Sequence, residues 1–282
     1  MNHTRRDFLK TAGATAMGFA LARNAPGEVK GDAKKHIVTL SFDDGFKQSS
    51  VKTAAIYEKH ELSACINVVA SAHTKEFRAP DYPNVPRGDF ALWNELQARG
   101  HEVMPHGYKH ANKPSLPLAE AKDLILRCLD VFSKELKGFD AKQAIFSFPY
   151  NASTPELEAW LATQVRAFRT GGGAINPWPH TGQTKLTCTS FGPGNCEAAI
   201  DREIEKLLAK ESGWLIFNTH GLDDEGWGPI RAAYLERLLD RLMAIESVDI
   251  LPAGKALAKY AKGTPSQFGR FLRGENTERR DC

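Results

Sequence analysis

A single-domain α/β fold, a distorted seven-stranded (β/α) barrel, is predicted from three features of the chain. Apolar, β-branched runs alternate about seven times with helix-period segments between His36 and Ala261. Several of these runs stop abruptly at polar residues able to do chemistry, as strands do at the C-terminal rim of such folds. The glycine-rich dinucleotide fingerprint is missing after the first run, which argues against an open nucleotide-binding sheet.

The chain's 282 residues suffice for one large domain, and 42% hydrophobic with 25% charged residues is ordinary for a globular protein. A formal net charge of +3 without a dense basic stripe argues against a nucleic-acid partner. No run reaches the apolar length of a membrane span.

Thr4-Arg-Arg-Asp-Phe-Leu-Lys10 is a twin-arginine pattern, followed by a mildly apolar stretch and a small-residue cleavage site at Ala20-Leu-Ala22. Residues 1–22 are therefore expected to be a signal peptide, with the twin-arginine export machinery as a partner and a periplasmic or secreted destination. Its removal takes away Arg5, Arg6, Lys10 and Asp7, leaving the mature chain close to neutral. An oxidising destination would let Cys188 and Cys196 close a short loop, while Cys65 and Cys128, in apolar segments, are expected as buried thiols.

Residues 23–35 read as a linker. The barrel is expected over 36–261, starting with the strand that ends at Asp43, Asp44 and Gly45. Ser49 or Ser50 is expected to cap a helix to about His60, and Ala64 to Ala70 is the second strand. A proline-rich loop and a helix from about Phe90 to Arg99 precede the strand from His101, which runs into His106-Gly-Tyr-Lys-His110. Ser115 opens a long helix whose apolar residues, among them Leu124, Cys128 and Phe132, fall at three- and four-residue steps. The strand at Ala144–Phe148 leads to Pro149, Tyr150 and Asn151; a helix starts near Pro155, and the next strand spans Val165–Thr170. Residues 174–195 read as an irregular excursion. A helix over Glu197–Lys210, the strand Trp214–His220, a helix from Pro229 to about Ile245, a strand over Ser247–Leu251 and a helix from Lys255 complete the pattern. Residues 262–282 read as a mobile tail.

His106 and His110 can share a metal if their segment makes one helical turn, with Asp44 as third ligand; two imidazoles and a carboxylate leave positions open for substrate. Such a pair alone is a weak signal that reads more readily as two surface histidines, and Asp43 and Asp44 also read as a helix cap with a solvated neighbour. Adjacent side chains at a strand end point different ways, which would let one aspartate bind metal while the other faces water. His220, at another strand end, reads as a catalytic acid or as a satisfied core histidine.

Ser-Phe-Asp43-Asp44-Gly, His106-Gly-Tyr-Lys-His110, Phe148-Pro149-Tyr150 and Asn-Thr-His220 resemble, in order, the motifs of the polysaccharide deacetylase family, the NodB homology domain. The resemblance covers about residues 36–260. It implies a metal-dependent hydrolase that removes N-acetyl groups from a carbohydrate, with one divalent metal ion, zinc expected, held by Asp44, His106 and His110. Asp43 would be the general base, His220 the general acid, and the backbone N–H of Tyr150 part of an oxyanion site. An O-acetyl esterase or small-amide amidohydrolase would use the same site, and a sugar-binding domain without turnover is a non-enzymatic alternative. Three positions depart from the family. Gly107 stands where serine or threonine is usual, and Ser147 where an arginine usually orients the base; Arg169, ending the next strand, is expected to supply that charge. The aspartate-rich support for the acid is missing, with Asp223, Asp224 and Trp178 as weak substitutes.

Overall fold

The computed structural model describes residues 34–75, 77–78 and 84–261, all within one compact unit. The expected signal peptide 1–22, the linker up to residue 33 and the tail from 262 lie outside the described residues. No described helix is long and apolar enough to cross a membrane.

The described strands are β1 His36–Phe42, β2 Cys65–Val68, β3 Glu102–Pro105, β4 Ile145–Ser147, β5 Ala167–Gly171, β6 Ile175–Asn176, β7 Lys185–Cys188, β8 Gly213–Thr219 and β9 Val248–Ile250. The helices are α1 Lys47–Glu58, α2 Phe90–Ala98, α3 Leu118–Glu135, α4 Pro155–Leu161, α5 Cys196–Leu208, α6 Ala232–Met243 and α7 Ala253–Tyr260. Strand β1 is the centre. Strand β8 pairs along its whole length, while β9 beside His36–Val38 and β2 beside Ser41–Phe42 share its other edge. Strand β3 follows β2, and β4, β5 and β7 form a second sheet; every named ladder is parallel except β6 on β8.

The expected seven-stranded barrel needs two corrections. The excursion at 174–195 is partly ordered, contributing β6 and β7. The two sheets are also not closed into one ring by ladders. At one seam β3 meets β4 through side chains, with the Ile145 N–H on Met104 Sδ at 3.4 Å and His106 Nδ1 on the Ser147 carbonyl at 2.9 Å. At the other, an isolated bridge between Thr189 and Phe217 joins the end of β7 to β8 in place of a ladder. Short strands of three or four residues leave little backbone for a ladder there.

Side chains alternate about the strands. Val38, Leu40 and Phe42 join Phe146, Phe168, Leu215 and Phe217 in the larger apolar cluster, which the helices cover. Ile37, Ile145, Ala167, Leu186, Trp214 and Ile216 form a second cluster with Ala256 and Leu257 of α7. Buried Glu102 accepts the N–H groups of Gly254 and Lys255 at 3.0 Å, capping α7 and fixing it across this end. Toward the C-terminal ends of these strands the side chains turn polar: Ser41, Asp43, Asn67, Ser147, Arg169 and Asn218 are all buried. That polar end carries the site.

Helix boundaries shift where a tertiary partner replaces a local cap. Helix α1 starts at Lys47 rather than after Ser49 or Ser50, because the Glu225 carboxylate takes the Ser49 N–H at 2.6 Å. A 3-10 turn at Lys113–Ser115 precedes α3, which begins at Leu118 and buries its predicted face, Leu124, Cys128 and Phe132 included. Cys188 and Cys196 are free thiols, as are Cys65 and Cys128. Cys188 points into the smaller cluster and Cys196 into the larger, on opposite sides of the strand layer, so no short loop closes between them.

Candidate active site and metal centre

Strand β1 delivers two carboxylates, and a left-handed turn separates them. Asp44 and Gly45 have φ of 73° and 68°, a region that aspartate tolerates and glycine favours. Glycine is required at 45, since a Cβ there would lie 2.9 Å from Val68 Cγ1 and 3.0 Å from the Trp93 ring. Asp43 therefore stays in register with the inward face of β1, while Asp44 swings toward the histidines.

Asp43 is 2% exposed. Its Oδ1 accepts from Asn67 at 2.8 Å and the Ser41 hydroxyl at 3.1 Å; its Oδ2 accepts from Arg169 at 2.5 Å and Asn218 at 3.4 Å. Burial pushes its pKa up, but the Arg169 guanidinium foremost, then His106 and His220, bring it below the usual carboxylate range. Arg169 is fully enclosed, with Nε on the Ser147 hydroxyl at 3.1 Å and Nη1 on Cys188 Sγ at 3.3 Å. Ser147 and Arg169 are register partners on β4 and β5. The small serine leaves room for the arginine to cross, and its hydroxyl passes the contact on to Asn67 Oδ1 at 3.1 Å.

His106 and His110 follow β3 on an irregular bend rather than the expected helical turn. Gly107, at φ 87°, makes the bend possible, and a Cβ there would press on Pro149 Cγ at 3.3 Å. The Nδ1–H of His106 donates to the Ser147 carbonyl, which turns the lone pair of Nε2 toward Asp44. Asp44 Oδ1 lies 3.5 Å from His106 Nε2 and 3.2 Å from His110 Nε2, yet among the described residues this buried oxygen has no hydrogen-bond partner. Burial pushes the Asp44 carboxyl up, but His110 first, then His106 and His220, hold it well below the carboxylate range. Burial pushes His110 down to about 4. One ionised carboxylate and a His110 kept neutral at pH 7 thus present lone pairs to one point. Ligand atoms of Asp44, His106 and His110 all lie within 4.8 Å of one another, and two imidazole nitrogens beside an orphaned carboxylate oxygen fit a divalent cation.

His220 follows β8 and lines the same cavity, of about 350 Å³, with Asp43, Asp44, His106, His110, Tyr150 and Trp227. The Nδ1 of His220 is buried and has no hydrogen-bond partner among the described residues, and its ring meets Trp227 edge to face at 5.5 Å. None of the proposed substitutes supports it. Asp223 pairs with Lys52 and caps α6 through the Ala232 N–H, Asp224 is exposed, and Trp178 packs on Tyr260 by the smaller cluster. Tyr150 sits at φ 58°, 49% exposed, its ring 4.6 Å from that of His110.

Sequence reasoning missed Asn67, Asn218, Arg87 and Trp227. For the two asparagines a signal existed: each is a polar residue inside an apolar β-branched run, and such a residue must be hydrogen-bonded when buried. Arg87 and Trp227 lie on loops and carried none.

The family model described as "Polysaccharide deacetylase" matches residues 30–185. No curated protein matches the chain. Among solved structures, a Mycobacterium smegmatis protein assigned provisionally to the polysaccharide deacetylases is 12% identical, with a TM-score of 0.61 over 89% of this chain and 96% of its own. The Xyl-CE4 domain of a multidomain xylanase from the hindgut metagenome of Trinervitermes trinervoides is 13% identical, with a TM-score of 0.54 over 80% and 91%. A family 4 acetyl xylan esterase from Clostridium thermocellum, in complex with a cobalt ion, is 16% identical, with a TM-score of 0.52 over 79% and 90%. At such identities the likeness is one of fold. With the family model spanning more than half of its length, the chain belongs to the polysaccharide deacetylase family.

Proposed function

We propose that the protein is a metal-dependent hydrolase that removes N-acetyl groups from an amino-sugar polymer or oligomer. The observation that carries this reading is the convergence of Asp44, His106 and His110 in the cavity that also holds the Asp43–Arg169 pair and His220. Asp44, His106 and His110 would hold one divalent ion, with zinc suited to two imidazoles and a carboxylate. When bound, that ion supplies Lewis acidity, which polarises an acyl carbonyl and makes a nearby water more acidic.

The residues supply the proton transfers and the positioning. Asp43, kept ionised by Arg169, accepts the proton of the attacking water at Oδ2, which lies 3.8 Å from His106 Nε2. Ser41, Asn67 and Asn218 fix the orientation of that carboxylate. The Tyr150 backbone N–H is assigned to the developing oxyanion. His220 gives its proton to the departing amine, releasing acetate and a free amino sugar. Its Trp227 wall keeps the imidazole facing the cavity.

O-deacetylation is a second reading, favoured by the unsupported Nδ1 of His220. An alkoxide leaves with less help from an acid than an amine does, so a weakly braced acid is better matched to an ester. Zinc-loaded protein, mixed in turn with acetylated chitin oligomers, peptidoglycan fragments and acetylated xylan, decides between the two by acetate release. Release from the first two supports N-deacetylation; release from xylan alone replaces it with the esterase. Export by the twin-arginine route belongs to the same proposal and is tested by fractionating cells that express the full chain.

A further inference from the structure

Outside the histidine cluster, the cavity wall holds one more cation among its lining residues, Arg87. It sits on a strap bound antiparallel to the chain just past Asp44. The Lys47 N–H bonds to the Pro86 carbonyl, the Gly88 N–H to the Gly45 carbonyl, both at 3.0 Å, and Phe46 and Arg87 form a bridge. The head group is held as well: its central carbon lies 3.7 Å from the centroid of the Phe46 ring, and Nη1 donates to the Val85 carbonyl at 2.7 Å.

What Arg87 lacks is a counter-charge. Among the described residues it forms no ion pair, and its Nε is buried without an acceptor. Two carboxylates lie near enough to favour its charge, Asp44 and Glu225, and both are engaged elsewhere. Asp44 faces the histidines, and Glu225 Oε2 accepts the Ser49 N–H. A half-buried guanidinium, fixed in place and unpaired at the wall of a substrate-sized cavity, is costly to keep unless an anion joins it in the working state.

We propose that Arg87 determines specificity by pairing with a carboxylate on the substrate, so that the preferred substrates are acylated sugars carrying an acid group close to the scissile acyl linkage. A carboxylate is planar and singly charged, and so matches a guanidinium edge in both geometry and charge. Neutral sugar hydroxyls would leave the charge uncompensated. The chemistry rests on the deacetylase reading; the anion site does not.

The test compares an N-acetylated disaccharide containing a uronic acid with the same molecule after its carboxyl is reduced to the alcohol. Binding to the zinc-loaded full-length protein and to Arg87→Gln is measured by calorimetry, with acetate release followed in parallel. The acid probe is expected to bind about tenfold or more tighter than the reduced one. Arg87→Gln should erase that preference by weakening the acid probe alone, with bound zinc unchanged. Equal affinities in the unsubstituted protein, no binding of the acid probe, or a preference that survives Arg87→Gln would overturn the proposal. A preference lost in Arg87→Gln without acetate release from either probe would uphold the anion site and remove the deacetylase reading instead.

Discussion

Arg169 on β5 reaches Asp43 at the end of β1 and donates to its Oδ2 with both side chains enclosed. Two strands of separate sheets are joined there by one charge pair. It forms because Ser147, the register partner of Arg169 on β4, is small enough to let the longer side chain past. The positive charge that the family usually places on one strand thus arrives from its neighbour.

Arg169→Met takes the guanidinium away from buried Asp43, a loss on the order of 3–5 kcal/mol for a broken buried pair. Urea denaturation at neutral pH measures it. Turnover should fall with stability, but retained metal should not, because the hydrogen bonds of Arg169 go to Asp43, Ser147 and Cys188 and not to the three ligand residues.

His106→Ala and His110→Ala should each release the metal on dialysis, since two remaining ligands hold an ion poorly against water. Elemental analysis is the check. Full metal content in both variants would take these residues out of the ligand set.

Gly107→Ser, which restores the residue usual in the family, should destabilise the protein by about 1–2 kcal/mol rather than improve it. The backbone there is left-handed, and the new Cβ meets Pro149. A thermal melt that is unchanged or raised would contradict this.

Away from the site, buried His101 accepts the Ala64 N–H at Nδ1 and places Nε2 3.0 Å from Glu58 Oε1. Burial lowers its pKa, a shift only partly offset by Glu58. The unfolded chain therefore takes up this proton first, so the stability present above about pH 6.5 is lost as pH falls below it. His101→Asn should show a smaller drop in Tm between pH 7.5 and 5.5 than the unsubstituted protein.

The rim residues were legible because a β-branched run ending in Asp43-Asp44, and another ending in Asn-Thr-His220, leaves little doubt about which end of a strand carries the polar groups. The strand–helix alternation followed from the same periodicity. Three-dimensional neighbours were not legible. The Asp44 turn depends on the space that Val68 and Trp93 leave at Gly45, and the start of α1 depends on Glu225 from a distant loop. Spacing suggested a loop between Cys188 and Cys196, but Cys188 on β7 packs in the smaller apolar cluster and Cys196, opening α5, in the larger. Asp223 looked close to His220 in sequence, yet its carboxylate is drawn outward by Lys52 and the start of α6.

The measurement that bears most directly on the account is acetate release by Asp43→Asn alongside the unsubstituted protein, both zinc-loaded, on an N-acetylated amino-sugar oligomer. The amide keeps the size of the carboxylate but cannot take the proton of the attacking water. The unsubstituted protein should release acetate, and Asp43→Asn should keep its metal while losing on the order of 10²–10⁴ in rate. An undiminished rate in Asp43→Asn, or its loss of metal, would show that the two aspartates do not hold the roles assigned to them.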